Sequence, residues 1–540
     1  MSVKMSVKMT SCLALWCVVV LSAFAAQASE PRSVAPVLRK DIEQARAEWN
    51  NVGVAVAVVK GDTVILTQGF GLKQAGEPSP VDAATLFQIG STSKAFTGAA
   101  LGILVDDGKI GWDDRVIDHL PGFRLADPWL TQHLTIRDTV THRSGIAETP
   151  YYVFGVMTPD EAVGQLRYVE PEARFRDSFR YSNLMYGVAG QLIAAASGMS
   201  WNDFVQRRLL QPLNMTRSGT SGSQFWDAQY VTATFQGTAK APRRLWSDAR
   251  DGNVAMPHVL DEKGQATVLA WQSYDNAAAA GSIVSNATDM ANWLRLNLNE
   301  GRFGGRQIVS RETQRELHAT QNLHVDPARD WFPLTGSVEG YAMGWFRSRY
   351  RDHLHVAHSG GIIGFPAYVA LLPEQKIGVA VLSNSPNRSG DTQAFNKVIA
   401  FGVLDRMLGS PSNHWSQQFL KRAKLAQSTA RQKEDELQRA RLPDAPPSLQ
   451  LDQYVGDYED RRHHSGPVSI RLQNGQLSLK FSGEGAFAGT LEPWHHDVFR
   501  LSARGSPWGF ASFTLDPAGK ASTLSAFGST FERLATPVRP

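Results

Sequence analysis

The chain has 540 residues, of which 42% are hydrophobic and 20% are charged. This composition argues against a disordered chain, and the length predicts two or more domains. The formal net charge of +4 at pH 7 gives no electrostatic reason to expect nucleic acid as a partner.

The N-terminal segment has the pattern of a cleavable secretory signal. Lys4 and Lys8 precede an apolar run over residues 13–24, which ends in the small-x-small pattern of residues 26–28. An uncleaved membrane anchor is the alternative, but about twelve apolar residues are too few to span ~30 Å of hydrocarbon. We therefore predict a signal peptide over residues 1–28, a periplasmic or secreted protein, and no stable membrane insertion after cleavage.

The cysteines of the chain, Cys12 and Cys17, both lie in this predicted signal. The mature protein then has no thiol, which excludes a disulfide, a cysteine nucleophile and a cysteine-bound metal. The signal carries lysines and no acidic residue, so its removal brings the net charge closer to zero.

A run of β-branched residues predicts a hairpin near the start of the mature chain. Its strands cover residues 52–59 and 64–67, Gly61-Asp62 forms the turn, and small residues line one face, under a helix. After Ser91, apolar residues at helical spacing predict a helix that ends at Gly108.

A second apolar hairpin is predicted over residues 368–372 and 377–382, and a helix over residues 392–407 follows it. Strands at both ends of a long helical middle favour one antiparallel sheet that joins the two ends of an α+β domain. Between these ends, the stretch 218–272 is rich in glycine, serine, arginine and tryptophan, which predicts long loops near a site. Its tryptophans either line a hydrophobic substrate cleft or pack under the loops; they are Trp226, Trp246 and Trp271.

The composition changes to polar and charged residues with a proline-rich end over residues 411–447, which predicts a polar helical linker. Short alternating strands recur over residues 449–535, and Asn474-Gly475 between two of them is a strong hairpin signal. We predict a small all-β barrel or sandwich there. His463-His464 and His495-His496 are interpreted as surface histidines, because neighbours on a strand point to opposite faces.

A Ser-x-x-Lys motif opens the helix after Gly90, with Ser91 in its first turn and Lys94 at i+3 on the same face. A serine hydroxyl becomes a nucleophile when a base takes its proton, and a lysine whose pKa is lowered by burial or neighbours can do so. The helix N-terminus also offers N–H groups that stabilise an oxyanion. By itself the motif equally indicates an ordinary helix start with a solvated lysine.

Two further motifs supply the remaining groups of such a site. In Tyr181-Ser182-Asn183, a phenol beside a lysine can relay a proton, and an amide can hold a substrate carbonyl. In His358-Ser359-Gly360-Gly361, glycines at a strand edge can approach a substrate and donate an N–H to an oxyanion. Taken alone, the first also indicates a core tyrosine with a capping asparagine, and the second a glycine-rich turn.

In this order, the three motifs resemble those of the class C β-lactamase and penicillin-binding-protein-like serine hydrolases, which carry Ser-x-x-Lys, Tyr-x-Asn and a Lys-Thr-Gly or His-x-Gly box. Flanking segments are similar too, at residues 86–90, 135–138, 141–146, 183–187, 211–215, 285–290 and 344–345. The resemblance covers residues 36–408 and implies an α+β fold with a β-lactamase-like antiparallel sheet flanked by helices. The all-β tail resembles the small lipocalin-like barrels that some family members carry.

The resemblance implies a role for each motif residue. Ser91 would be the acylated nucleophile, Lys94 its general base, and Tyr181 the proton relay to the leaving group and for deacylation. The N–H groups of Ser91 and Gly361 would form the oxyanion hole, and Asn183 would orient the acyl side chain. This mechanism requires no metal or organic cofactor. The catalytic residues would thus be Ser91, Lys94, Tyr181 and His358, and the substrate-binding residues Asn183, Ser359, Gly360 and Gly361.

The sequence departs from the family pattern at the third box, where His358 takes the place of a lysine. A lysine there is a permanent cation that attracts the carboxylate of a β-lactam or a peptide C-terminus, whereas a histidine is only partly charged near neutral pH. We therefore expect inefficient β-lactam hydrolysis. The Pro-Gly expected before Tyr181 is also replaced, by residues 174–178, whose Arg174 and Arg176 either bind an acidic substrate or form a solvated face.

The sequence thus predicts an exported serine hydrolase that cleaves amide bonds of short peptides through a Ser91 acyl-enzyme. Peptides with D- or unusual residues, such as linearised cyclic peptides, are the expected substrates. The alternatives are a carboxylesterase, a β-lactamase, and a non-turnover penicillin-binding or sensor module. The partner would be a small peptide or ester substrate, and no pattern in the sequence indicates the oligomeric state.

Overall fold

The computed structural model of the protein describes residues 34–147, 157–222, 252–260, 265–269, 271, 274–325, 338–386, 391–460, 467–481, 488–503 and 506–535. The predicted signal peptide, Trp226, Trp246 and His463-His464 lie outside the described residues. Among the helices that are described, none is both long enough and apolar enough to cross a membrane.

An antiparallel sheet forms the centre of the larger, N-terminal part. The strands of this part are β1 (Gly53–Lys60), β2 (Thr63–Gly71), β3 (Phe87–Gln88), β4 (His258–Leu260), β5 (Ala266–Val268), β6 (Val284–Ser285), β7 (Arg302–Phe303), β8 (Arg306–Gln307), β9 (Val338–Tyr341), β10 (Phe346–Tyr350), β11 (His353–Ile362), β12 (Phe365–Leu372) and β13 (Ile377–Ser383). Seven of them form the main sheet in the order β2-β1-β13-β12-β11-β10-β9. Val54 pairs with Ser383 and Lys60 with Ile377, so both predicted hairpins and the sheet that joins the two ends are confirmed.

Helices cover both faces of this sheet. They are α1 (Ala35–Glu48), α2 (Ser93–Asp106), α3 (Val116–His119), α4 (Pro128–His133), α5 (Ile136–Thr139), α6 (Pro159–Gly164), α7 (Asn183–Ser197), α8 (Trp201–Val205), α9 (Ala278–Gly281), α10 (Ala287–Leu298), α11 (Arg311–His318) and α12 (Ala394–Leu408). In β1, Val54, Val56 and Val58 pack in the cluster of α1 and α12, whereas Ala55 and Ala57 face the cluster that contains α10. Because side chains alternate along a strand, the small residues all lie under one helix, and the predicted α+β class is confirmed.

Helix α2 is buried on every side. Each residue from Ser93 to Leu104 is buried. A Cβ on Gly98 would lie 2.7 Å from the carbonyl oxygen of Met343, and one on Gly102 would lie 2.6 Å from the Thr313 methyl group. The helix is therefore a central element held by close packing, in contrast to a surface helix with one apolar face.

Strand β11 is longer than its neighbour β10. β10 pairs with residues 353–357, so residues 358–362 have no strand partner on this side within the described part of the chain. The backbone before Ser91 packs close to this segment. A Cβ on Gly360 would be 2.0 Å from the Ile89 oxygen, and one on Gly90 would be 2.6 Å from the Gly361 nitrogen. Glycine is required at both positions. Because neither residue has a side chain, the open edge of β11 can lie close to Ser91.

A polar helix of 26 residues, α13 (Trp415–Ala440), leads to the C-terminal part. Its buried residues, Trp415, Phe419 and Ala423, lie in its first third, and Trp415 and Phe419 share a hydrophobic cluster with α12. Near its other end, Glu434 accepts hydrogen bonds of 2.5 and 2.7 Å from the Arg500 guanidinium. The helix is thus attached at both ends, with polar residues exposed between them.

The C-terminal part is a closed antiparallel barrel, which confirms the all-β prediction. Its strands are β14 (Gly456–Glu459), β15 (Pro467–Gln473), β16 (Gln476–Phe481), β17 (Ala488–His495), β18 (Val498–Ala503), β19 (Ser506–Leu515), β20 (Ala521–Ala526) and β21 (Ser529–Arg533). Asn474 and Gly475 have φ angles of 51° and 78°, as the predicted two-residue hairpin turn requires. Apolar side chains such as Leu479 and Phe499 fill the interior.

Candidate active site

Ser91 and Lys94 lie where α2 begins. A single 3₁₀ turn over Gly90–Thr92 runs directly into the helix. The three-residue spacing places Lys94 Nζ 3.2 Å from Ser91 Oγ. Ser91 is half-buried, whereas Lys94 has no exposed surface. The serine is therefore open to a substrate and the lysine is shielded from water.

The amine of Lys94 has oxygen acceptors on two further sides. Its Nζ donates to Asn183 Oδ1 at 2.6 Å and to the carbonyl of Ala280 at 2.9 Å. Amide oxygens accept hydrogen bonds and do not donate them. A neutral amine can satisfy both with its two hydrogens and direct its lone pair to the Ser91 hydroxyl. The arrangement can therefore hold Lys94 as the base for Ser91.

Tyr181 and Asn183 reach the same place from the start of α7. Ser182 is the N-cap of this helix, and its Oγ accepts the N–H of Met185. The cap sets the residues before and after it on the side of Lys94, whose Nζ lies 4.7 Å from the centre of the Tyr181 ring. Tyr181 and Asn183 are half-buried, so both keep some exposed surface, in contrast to Lys94.

His358 is buried at the back of the site, with 2% of its surface exposed. Its Nδ1 lies 2.6 Å from the Ser359 carbonyl, and its Nε2 lies 3.2 Å from the Tyr341 hydroxyl. Because the Ser359 carbonyl can only accept a hydrogen bond, Nδ1 carries the proton, and Nε2 accepts the hydrogen bond of the Tyr341 hydroxyl. Burial, together with the charge of Lys94, lowers the pKa of His358 to about 3. The imidazole is therefore neutral at pH 7, in contrast to the partly charged group expected from the sequence.

The rest of the third box forms the open edge of β11. Gly361 is exposed, Ser359 is half-buried and Gly360 is buried against Ile89. The approach of Gly90 to Gly361 brings the backbone of Ser91 close to that of Gly361. The structure thus brings every predicted site residue to one place: Ser91, Lys94, Tyr181, Asn183, His358, Ser359, Gly360 and Gly361.

The sequence did not single out several groups that surround this site. The carbonyl of Ala280 has no sequence signature, because every residue carries one. Tyr341 has no motif around it, although it contacts His358 directly. Tyr186 and His142 lie in flanking segments that resemble the family. A tyrosine and a histidine within such segments could have been chosen as candidates from the sequence.

The arginines before Tyr181 have a structural role that neither interpretation of the sequence anticipated for Arg176. Arg176 donates to the buried carboxylate of Asp138 at 2.7 Å, and Arg143 donates to the same carboxylate at 2.6 Å. Burial alone would raise the pKa of Asp138, but these hydrogen bonds and charges lower it overall. Arg174 is 86% exposed and lies 3.7 Å from Asp177. Arg176 is thus engaged within the protein, and Arg174 belongs to a solvated face.

The structure also describes Trp271 and the pair His495-His496. Trp271 is 1% exposed, donates to the Ala255 carbonyl at 2.9 Å and packs on Phe365, so it belongs to the core. His496 is exposed and His495 half-buried. No group of three or more histidine, cysteine, aspartate or glutamate side chains in the described ranges is arranged to hold a metal ion.

The combination of this sheet, this central helix and the serine–lysine contact defines the class: the protein is a serine hydrolase with a β-lactamase-like fold. A family model described as Beta-lactamase matches residues 38–403, and the chain belongs to that family. A second model, described as a domain of unknown function (DUF3471), matches residues 440–536, which contain the barrel.

Individual proteins agree with this assignment. The chain is 28% identical over 400 residues to unguisins hydrolase ungD of Aspergillus violaceofuscus; the match covers 70% of this chain and 66% of that protein, just under two thirds of its length. The octameric penicillin-binding protein homologue from Pyrococcus abyssi shares the fold with a TM-score of 0.56 at 22% identity, over 92% of this chain and 99% of that one. A D-stereospecific amidohydrolase from Streptomyces sp. does so with a TM-score of 0.52 at 20% identity, over 68% and 99%.

Proposed function

We propose that the protein hydrolyses amide bonds of short peptides, including peptides with D- or unusual residues such as linearised cyclic peptides, through an acyl-enzyme on Ser91. The observation that carries this proposal is the fully buried Lys94 amine, held by Asn183 and Ala280 at 3.2 Å from the Ser91 hydroxyl.

The reaction has two half-reactions. Lys94 takes the proton of Ser91 as Oγ attacks the substrate carbonyl, and the N–H groups of Ser91 and Gly361 bind the oxyanion. The C–N bond then breaks, and Tyr181 passes a proton to the leaving amine. In the second half, water attacks the ester, gives its proton to the same tyrosine–lysine pair, and releases the acid and free Ser91.

The open edge of β11 supports a peptide as substrate. Residues 358–362 have backbone groups free of a strand partner on the side of Ser91, within the described residues. An extended peptide can add to such an edge as a further strand, with its scissile carbonyl over the serine. The glycines at 360 and 361 let the peptide backbone approach closely.

The neutral His358 supports an amide substrate over a β-lactam. A buried, uncharged imidazole offers no permanent cation to a β-lactam carboxylate or a free peptide C-terminus. The names of relatives agree with this preference, since they include an unguisins hydrolase and a D-stereospecific amidohydrolase. A penicillin-binding protein homologue also shares the fold, which makes β-lactam acylation a necessary control.

The test begins with a fluorophosphonate probe. We expect it to label the wild-type protein and the Ser93→Ala variant, and to leave Ser91→Ala unlabelled. Ser93 is the matched control, because it lies one residue after the same turn and its Oγ accepts the N–H of Ile283. Equal labelling of the Ser91→Ala variant would contradict the site.

Turnover then distinguishes the candidate functions. We expect D-amino-acid p-nitroanilides to be hydrolysed with a larger kcat/KM than p-nitrophenyl butyrate or a chromogenic cephalosporin. A preference for the ester would indicate a carboxylesterase, and a preference for the cephalosporin a β-lactamase. Labelling of Ser91 by a fluorescent penicillin without turnover of any substrate would indicate a sensor module.

We further propose that the protein is exported and works in the periplasm or outside the cell. The basis is the pattern of residues 1–28 alone. The intact mass of the protein recovered from a periplasmic or medium fraction should correspond to a chain that begins after residue 28. Recovery of the full-length chain from the cytoplasm would contradict the proposal.

A further inference from the structure

His142 is a fully buried histidine that the proposed reaction does not use. It lies in one of the segments that resemble the family, and its backbone φ of 54° is in the left-handed region. Its carbonyl accepts the N–H of Arg180 at 2.9 Å and the side-chain amide of Asn322 at 3.2 Å. These contacts fix the residue behind the turn that carries Tyr181.

The imidazole of His142 contacts that turn through both a hydrogen bond and its ring. The N–H of Ser182 donates to His142 Nδ1 at 3.1 Å. The ring centre lies 4.2 Å from that of Tyr181 and 4.7 Å from that of Tyr341. Ser182 stands between Tyr181 and Asn183, so one hydrogen bond restrains both neighbours.

The protonation state of His142 suits this hydrogen bond. Burial lowers its pKa well below the ordinary value, and the nearby Lys94 and His358 lower it further. The imidazole is neutral, the accepted hydrogen bond leaves Nδ1 without a proton, and the remaining proton is on Nε2. Nε2 has no hydrogen-bond partner among the described residues, and it lies within a cage of aromatic rings. The side chain is thus held by Ser182 and by packing.

We propose that His142 is a positioning residue for the hydrolysis: its hydrogen bond to the Ser182 N–H holds the Tyr181 phenol and the Asn183 amide in place against Lys94. The inference rests on the proposed function, because it names the residue that keeps Tyr181 and Asn183 at their distances from Lys94. Without the acceptor, the buried N–H of Ser182 loses its partner and the turn shifts to find another. A shift of about 1 Å at reacting groups can reduce a rate by ~10²-fold.

The experiment compares two substitutions, each of which keeps one property of the imidazole, the hydrogen-bond acceptor or the aromatic ring. His142→Asn keeps an acceptor near the place of Nδ1 and tolerates the left-handed backbone, but removes the ring. His142→Phe keeps a ring and removes the acceptor. We expect kcat to fall by roughly 100-fold in His142→Phe, with KM within a few-fold of wild type, and by less than about 10-fold in His142→Asn.

His355 provides the matched control for the cost of altering a buried histidine. It is 1% exposed on β11, its Nδ1 pairs with Ser348 Oγ at 2.9 Å, and its ring packs near Phe401, on the opposite face of the main sheet from the site. We expect His355→Asn to lower the melting temperature and to leave kcat per folded molecule unchanged. Folded fractions measured by circular dichroism normalise all the rates.

The outcomes separate this inference from the proposed function. The rate of Ser91 labelling by the fluorophosphonate needs no peptide substrate, and we expect it to fall in the same order as kcat. If wild type cleaves no amide, the proposed function fails, while the labelling rates still test His142. Equal or faster labelling of His142→Phe than of His142→Asn would overturn the positioning role. Losses that match the folded fraction alone, as in His355→Asn, would also overturn it.

Discussion

The layer around α2 and the interior of the barrel are both tightly filled, but with different chemistry. Around α2, the side chains of Lys94, His142 and His358 are buried among apolar residues. In the barrel, aliphatic and aromatic side chains fill the space. Its buried Tyr458 hydroxyl donates to a backbone carbonyl of the same region at 2.8 Å, so this polar group supports the barrel itself.

The difference shows which buried polar side chains serve the stability of the fold and which serve its chemistry. Burial of an amine or an imidazole costs free energy unless partners compensate for the lost water. The catalytic layer accepts that cost at its centre, where the groups can act on a substrate. Substitutions in the two regions should therefore have opposite effects, with activity lost chiefly in one and stability lost chiefly in the other.

Replacement of the buried amine should have the largest effect. We expect Lys94→Met to reduce kcat/KM by ~10⁴-fold, because loss of the base of a serine nucleophile has consequences of that order. The free energy of unfolding should fall by roughly 1–2 kcal/mol, because the oxygens of Asn183 and Ala280 lose this donor. Steady-state kinetics and urea titration measure both quantities, with Lys109→Met, exposed just beyond the same helix, as control. Retention of more than a tenth of the activity would contradict the role of Lys94.

The barrel should show the reverse behaviour. Leu479 is fully buried in its interior, and we expect Leu479→Ala to lower the free energy of unfolding by about 3 kcal/mol. The kcat per folded molecule should stay that of wild type. Leu472 is 38% exposed on the preceding strand, and its replacement by alanine should cost much less. A fall in kcat with unchanged stability would show that the barrel takes part in the reaction.

Acid should destabilise the larger, N-terminal part of the protein through histidines that are buried on both faces of its main sheet. Burial lowers the pKa of His355 to about 4 and that of His358 to about 3. The unfolded chain takes up protons near pH 6.5 and the folded chain does not, so stability is complete above pH 6.5 and is lost as the pH falls toward 4. Between pH 7 and 5, each of these histidines should lower the free energy of unfolding by about 2 kcal/mol.

Urea midpoints at pH 7 and 5 measure this loss. We expect the His355→Phe variant, which removes one of these groups, to lose less stability over the same range than wild type. A midpoint that is independent of pH between 7 and 5 would mean that these histidines are protonated in the folded protein as well.

The attachment of α13 to the barrel should have the smallest effect. Glu434 is 38% exposed and pairs with Arg500, and an exposed ion pair contributes about 0.5 kcal/mol. We expect that coupling in a double-mutant cycle of Glu434→Gln and Arg500→Gln, with the exposed Glu436→Gln as control. Hydrogen bonds from Arg500 lower the pKa of Glu434 to about 2. The coupling should therefore persist above pH 4.5 and disappear toward pH 2. A coupling of zero at neutral pH would mean that this ion pair does not contribute to the attachment of α13 to the barrel.

Local patterns in the sequence predicted the hairpins and the core of the site. The strands of β1 and β2 follow from runs of β-branched residues, and the tight turn at Asn474-Gly475 follows from two residues that accept positive φ. The Ser91–Lys94 contact follows from a spacing of three residues in a helix. Each of these features depends on neighbours in the chain.

Features that depend on distant contacts could not be predicted in this way. The Ala280 carbonyl reaches Lys94 across 186 residues, and a carbonyl group distinguishes no residue type. The neutrality of His358 arises from burial by elements elsewhere in the chain. Arg176 binds Asp138, 38 residues earlier, whereas its sequence position beside the Tyr181 motif indicated a place at the site mouth.

The burial of α2 on every side limits how an enzyme of this kind can be changed by selection or in the laboratory. Gly98 and Gly102 leave no room for a side chain, so variant libraries aimed at the helix of the nucleophile should yield mostly misfolded protein. Gly361 is exposed and Ser359 is half-buried, so residues beside the edge of β11 can be replaced with less disturbance of the packing. New substrate preferences should therefore arise along the free edge of the sheet, while the chemistry of the helix stays fixed.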